Sequence, residues 1–287
     1  MDDSKFFIVG ANGQLGTALR QQYPNAKFAD VGELDITNRE SVDAYDWSDI
    51  THVLNAAAYT NVDNAETTEG RVAAWNVNAS AVANLAGACT KYDMTLVHIS
   101  TDYVFDGTRE LHAEDEPFSP LGVYAQTKAA GDIVASLIPK HYILRTSWVI
   151  GSGPNFVRSI YGLGKRNISP NVVADQFGRL TFTSELVRAI DFLLQGEAAF
   201  GTYNTSNGGS IGSWADIARQ VYLEAGYSDL TVGDTTAEEY FAGKLSSPRP
   251  THSGLDLAKI CALGFEPTDW IDDLKQYIKD DLEKERN

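Results

Sequence analysis

FFIVGANGQLGTALRQQY, residues 6–23, joins a short apolar run to a helical pattern through Gly10, Gly13 and Gly16. FFIVG is too short for a helix and is rich in β-formers, so it reads as a buried strand; QLGTALRQQY carries helical spacing. Glycines at such a junction allow a tight turn, let the backbone approach a pyrophosphate, and let the helix pack closely on the strand. The helix N-terminus then offers unpaired amides and the positive end of its dipole to phosphates. The spacing is GxxGxxG rather than GxGxxG, and a plain glycine turn between strand and helix is the competing reading.

The following residues favour cofactor binding over a plain turn. AKFADV (26–31), a polar helical stretch around 38–46, HVLNAA (52–57), the small-residue helix NASAVANLAGACTKY, TLVHIS (95–100) and YILRTSWVIG (142–151) alternate along the chain. Strands alternating with helices predict a parallel sheet covered on both faces, an α/β Rossmann-type doubly wound fold. Beyond Gly151 the segments GSGPNF and KRNISPNV are loop-like, and helical patterns are expected near 183–195, 213–226 and 270–284. The expected organisation is a dinucleotide-binding domain over 1–150 with about 170–200. A smaller C-terminal α/β lobe takes about 151–169 and 201–287.

The net charge of −16 over 287 residues argues against nucleic acid, which needs clustered Lys and Arg. No apolar run approaches the roughly 20 residues of a membrane span. MDDSKFFIVG lacks the basic region and apolar core of a signal peptide, and two cysteines make no disulfide framework; a cytoplasmic setting is expected. No metal site is expected.

Asp30 follows the second strand, 20 residues after Gly10, where an acid can take the adenosine ribose hydroxyls. The loop VGELD has no Lys or Arg to receive a ribose phosphate, so NADPH or NADH is expected with a lean toward NADH. A solvated turn aspartate is the alternative.

A tyrosine and a lysine four apart can form the proton-donating core of a nicotinamide-dependent reductase. The spacing occurs at Tyr124/Lys128 in SPLGVYAQTKAAGD, and again at Tyr23/Lys27, Tyr161/Lys165 and Tyr240/Lys244. Residues four apart share a face only on a helix. Pro24 follows Tyr23, and glycines interrupt or flank the later two pairs, which demotes all three. Tyr124 and Lys128 open a run broken only by Gly131. Thr101 ends the TLVHIS strand, where open α/β sheets place ligands. Hydride arriving at a ketone carbon builds charge on oxygen, which needs a proton; Tyr124 supplies it, Lys128 is expected to lower the phenol's pKa, and Thr101 orients the carbonyl.

With these residues in place the chain resembles the extended short-chain dehydrogenase/reductases and, within them, the dTDP-4-dehydrorhamnose reductase family. GANGQLG, LDITN, NAAAYTNVDNAE, STDYVFDG, SPLGVYAQTK, RTSWVIG, ADQFGRLT and RPTHSGLD carry the resemblance in family order. It implies that Thr101, Tyr124 and Lys128 are catalytic. It further implies that Gly10, Asn12, Gly13, Gln14 and Leu15 hold the pyrophosphate, Asp35 and Ile36 the adenine, and that Ala56, Ala57 and Tyr59 face the cofactor. Tyr103, Trp148 and Arg249 match positions on the sugar-nucleotide side. Leu180 stands where the family usually has proline, and Ala18 replaces a glutamate through which some members dimerise on a metal, so a monomer is expected. The implied reaction is reduction of the 4-keto group of dTDP-4-dehydro-L-rhamnose. A reductase or epimerase on another nucleotide sugar, and a non-catalytic NAD(P)-binding regulatory subunit, remain as alternatives.

Overall fold

In the first strand, Phe6 and Ile8 point into one hydrophobic core and Phe7 and Val9 into another, because successive side chains of a strand alternate between faces. A computed structural model describes residues 1–196 and 198–282. Strand β1 (Phe6–Val9) leads into helix α1 (Gln14–Gln22), then β2 (Lys27–Ala29), α2 (Arg39–Ala44) and β3 (His52–Asn55). Next come α3 (Thr68–Trp75), α4 (Ala81–Lys91), β4 (Thr95–Thr101), α5 (Val123–Ser136) and β5 (His141–Thr146). With strand Gly201–Asn204 they form a parallel six-stranded sheet in the order 201–204, β5, β4, β3, β1, β2.

One core beds Leu15 and Leu19 of α1 and Leu186, Ile190 and Leu193 of helix Thr183–Gln195 on one face of the sheet. The other beds Val42 of α2 and Val82 and Leu85 of α4 on the opposite face. A third core, around Val157, Ile217, Val221 and Leu274, belongs to the smaller lobe. The doubly wound expectation therefore holds. No helix among the described residues is long and apolar enough to cross a membrane.

Several local expectations are revised. The run 142–151 is two strands, β5 and Val149–Ile150, broken where Trp148 takes a φ of +46°. Residues 156–165, between two loop-like segments, form helix Phe156–Lys165, capped by the Asn155 side chain on Arg158 N–H. Residues 201–204, placed with the smaller lobe on sequence, pair with β5 in the main sheet, whereas Asn171–Val173 pairs with Gly233–Thr235. The terminal helix runs Trp270–Tyr277 and continues as a π-turn over Ile278–Leu282; the last two residues of its expected span, 283 and 284, lie outside the described residues.

α3 and α4 are joined by a π-turn, Asn76–Ser80, that packs against α5. There the buried Asn78 side chain accepts from Tyr59 N–H at 2.8 Å and donates to the Thr127 hydroxyl at 3.0 Å. Gly131 is the reason α5 can come so close: a Cβ there would lie 2.3 Å from the Asn78 carbonyl oxygen. The one glycine inside α5 is thus a packing requirement.

Candidate active site

The glycine loop adopts the geometry its spacing suggests. Gly10 has a φ of +73°, and a Cβ on it would sit 2.6 Å from the Ala57 nitrogen; one on Gly16 would sit 2.1 Å from the Gly10 oxygen. Gly13 caps α1 without any side-chain hydrogen bond, so the first amides of α1 face outward unclaimed by a cap. Beside them lie two adjoining cavities. One, of about 300 Å³, is lined by Gly10, Gly13, Asp30, Asp35, Ile36, Ala56 and Ala57. The other, of about 470 Å³, is lined by Gly13, Gln14, Leu15, Ala56, Ala57, Thr101, Tyr103, Tyr124, Lys128 and Trp148. Shared walls at Gly13, Ala56 and Ala57 make the two cavities one continuous cleft that passes the N-terminus of α1, where backbone amides can meet an anion. A larger groove of about 580 Å³ between α1 and helix 183–195 shares only Gln14 with it and contains none of the trio.

Thr101 ends β4, a strand buried along nearly its whole length. Its hydroxyl accepts from Tyr103 N–H at 3.2 Å and lies 3.0 Å from an Asp102 carboxylate oxygen. Tyr124 is the second residue of α5 and Lys128 stands one turn later, both buried. Gly122 offers no side chain to cap α5, so Glu66 does it from outside, accepting from Val123 N–H at 2.9 Å. The same oxygen of Glu66 accepts from the Ser247 hydroxyl at 2.7 Å, tying α5 to the C-terminal segment.

The electrostatics revise one expectation. Burial pushes the Tyr124 phenol well above its ordinary value, Asp102 adds to this, and the Thr101 hydroxyl offsets part of it. Lys128 is not among the groups holding it down: its Nζ donates to the Ile99 carbonyl at 2.6 Å and lies in the field of Asp132. Burial brings Lys128 itself down to about 8, with Asp132 opposing. Desolvating a phenolate therefore outweighs the nearby ammonium, and Tyr124 is firmly protonated at neutral pH.

Of the remaining pairs, Tyr161/Lys165 does share a helical face, because helix Phe156–Lys165 runs through Gly162 and Gly164. What removes it is location: Tyr161 is buried in the lobe core with Lys165 Nζ over its ring at 5.9 Å. Tyr161→Phe is expected to leave turnover within about twofold of wild type, measured by steady-state kinetics, because surface and core changes away from a site alter stability rather than chemistry.

Three expected residues stand apart from the cleft walls. Asn12 donates its N–H to Asp30 at 3.1 Å. Tyr59 accepts from Asn64 at 2.6 Å and packs near Tyr124 and Tyr103. Arg249 is held by Asp63 at 2.8 Å, stands over Phe241 at 4.4 Å, and lines a separate pocket of about 300 Å³.

Other residues were missed. Trp214 stacks on Trp148 at 3.6 Å and completes the cleft wall, though nothing in sequence spacing links two residues so far apart. Arg20 was also missed, although the loop VGELD itself holds no Lys or Arg. It comes from α1 rather than the loop, donates to Asn12 Oδ1 at 3.3 Å and lies 4.0 Å over Phe28. Asp102 and Glu66 sit inside motifs already quoted, and an acid directly after the strand-end threonine was a signal available from sequence.

Residues 4–283 match the family described as RmlD substrate binding domain. A dTDP-4-dehydrorhamnose reductase from Aggregatibacter actinomycetemcomitans is 36% identical over 95% of this chain and 97% of its own. Among solved structures, a dTDP-4-dehydrorhamnose reductase from Clostridium acetobutylicum is 35% identical with a TM-score of 0.88, covering 96% of this chain and 98% of that one. The one from Bacillus anthracis, in complex with NADP, is 32% identical with a TM-score of 0.86, covering 95% and 96%. With matches along nearly its whole length and a cleft that joins the glycine loop to the Thr–Tyr–Lys set, the chain belongs to the RmlD family, which these dTDP-4-dehydrorhamnose reductases represent.

Proposed function

We propose that this protein reduces the 4-keto group of dTDP-4-dehydro-L-rhamnose to dTDP-L-rhamnose with NAD(P)H. The observation that carries the reading is the convergence of Thr101, Tyr124 and Lys128 on a cleft that continues to the glycine loop. A bound reduced nicotinamide supplies a hydride to the carbonyl carbon. The carbonyl oxygen then takes the phenol proton of Tyr124, and the resulting tyrosinate is reprotonated from solvent. Thr101 positions the carbonyl and Lys128 places a positive charge beside the developing oxyanion. Trp148, stacked on Trp214, and Tyr103, edge-on to Tyr124 at 5.8 Å, form the aromatic wall for the sugar. Arg249 serves the diphosphate. In this division the six-stranded unit holds the dinucleotide, the smaller lobe holds the nucleotide sugar, and the chain acts as a monomer.

Oxidation of NAD(P)H on addition of dTDP-4-dehydro-L-rhamnose is the direct test. No turnover by the wild type sinks the proposal in favour of a regulatory subunit, and turnover only with another nucleotide sugar replaces the substrate.

NADH is the favoured cofactor in this reading. The Asp30 carboxylate accepts from Asn12 N–H and Val31 N–H and sits at the cleft wall, where its charge opposes a ribose phosphate. Asp30→Ser is expected to shift the NADPH/NADH ratio of kcat/KM by about tenfold toward NADPH, roughly 1.4 kcal/mol. A wild type that already prefers NADPH overturns this, with Arg20 the group to examine.

A further inference from the structure

Asp102 lies against the cleft without a part in the reaction just described. It is almost fully buried, and the groups that face its carboxylate are the hydroxyls of Thr101 and Ser253 and nearby backbone amides rather than any cation. Its Oδ1 is 3.0 Å from the Thr101 hydroxyl oxygen. We propose that Asp102 is a positioning residue whose protonation decides where the Thr101 hydrogen points, the neutral acid being the form that leaves Thr101 free to serve the substrate carbonyl. This rests on the reductase reading above.

The argument is a hydrogen count. A threonine hydroxyl has one hydrogen and two lone pairs. One lone pair of Thr101 is already used by Tyr103 N–H. An ionised Asp102 can only accept, so the single hydrogen of Thr101 must turn to it. Thr101 then presents only a lone pair to a carbonyl oxygen, which is itself only an acceptor. A neutral Asp102 donates its own O–H to the second lone pair of Thr101, and the threonine hydrogen is released toward the cleft. That hydrogen is also the one that favours the tyrosinate left on Tyr124 after proton transfer.

The surroundings suit a neutral acid. A buried carboxylate that faces hydroxyls and amides but no paired cation is costly to ionise. Burial raises Asp102 to about 7, against the hydroxyls of Ser253 and Thr101 and the amides of Asp102 and Tyr103. The facing groups on α5 are the Tyr124 phenol and, a turn deeper, Lys128, which is bonded to Ile99 and balanced by Asp132. On its own turn stands the protonated Tyr103, and from the C-terminal segment come Ser253 and, at Tyr103, Arg249, which Asp63 holds. The sign follows: the serving form is present below about 7 and lost above it.

The test is the pH profile of kcat in wild type, Asp102→Asn and Thr101→Val. Wild-type kcat is expected to fall as pH rises through about 7. An asparagine amide donates permanently to Thr101. Asp102→Asn is therefore expected to keep kcat at pH 6 within about threefold, with cofactor KM unchanged. Its decline is expected to move up toward about 8, where Lys128 titrates. Thr101→Val has no hydroxyl to redirect and is expected to be slow, with no break near 7. An infrared carboxylic-acid band in the wild type, fading through the same window, reads the protonation even if Asp102→Asn does not fold. A break that stays put in either variant, or a loss above about 100-fold in Asp102→Asn at pH 6 with cofactor affinity intact, overturns the proposal. A wild type without turnover instead refutes the reductase reading, and this inference falls with it.

Discussion

Tyr124→Phe is expected to lower kcat about a thousandfold while leaving NAD(P)H affinity within about threefold. Phenylalanine retains the ring that packs with Val123, Val62 and Tyr59 and stands edge-on to Tyr103, so the site keeps its shape. Only the proton is removed. Burial keeps the Tyr124 phenol protonated, so the wild type holds the acid ready throughout the neutral range. In the proposed reaction, its weakness as an acid is the difficulty that a developing oxyanion, the Thr101 hydroxyl and the Lys128 charge would overcome together. Steady-state kinetics alongside fluorescence titration of the cofactor separates chemistry from binding. Residual activity above about a tenth of wild type would identify a different proton donor.

Arg145→Leu is expected to destabilise the protein by about 3–5 kcal/mol, seen as a fall in Tm on the order of 10 °C. Arg145 and Asp132 are both buried and meet at 3.1 Å. Arg145 also donates to the Glu114 carbonyl at 3.0 Å and lies between the Phe105 and Phe118 rings, at 5.2 and 5.0 Å. Leucine would leave the Asp132 carboxylate facing His98 at 3.9 Å, an imidazole that burial holds neutral. Removing both charges, in Arg145→Leu with Asp132→Leu, should recover part of the loss, because a buried carboxylate stripped of its guanidinium is removed while Lys128 loses the charge that offsets its own burial. The double variant should still be impaired in turnover at neutral pH. Asp132 is the group that holds Lys128 up against burial, so without it the ammonium is lost earlier as pH rises. Equal stability of the single and double variants would show that the pair does not act as a unit.

Most of the nucleotide-binding half was legible because its signals are local. The unbroken burial of FFIV, the glycines at the turn and the small residues of α4 each report a nearby constraint, and the sheet assembles around them. The lobe was harder. Helix Phe156–Lys165 was hidden by two glycines, yet its apolar residues Val157, Ile160 and Tyr161 meet helix Trp214–Glu224 in a common core, and packing outweighs the propensity cost. Strand Gly201–Asn204 could not be assigned from its own residues either, since what makes it part of the main sheet is its pairing with β5.

By itself, the sequence determined the doubly wound fold and placed the glycine loop, and it picked out Thr101, Tyr124 and Lys128 as candidates, since a strand end and a one-turn helical spacing are local features. Only the tertiary structure decided what surrounds them. Glu66 caps α5 from 57 residues away, Arg20 reaches Asn12 from α1, and Trp214 closes the cleft against Trp148. The protonation of the site was likewise out of reach of the sequence. A lysine one turn from a tyrosine suggests an acidified phenol, but desolvation scales with burial, and burial belongs to the fold rather than to any two residues in it.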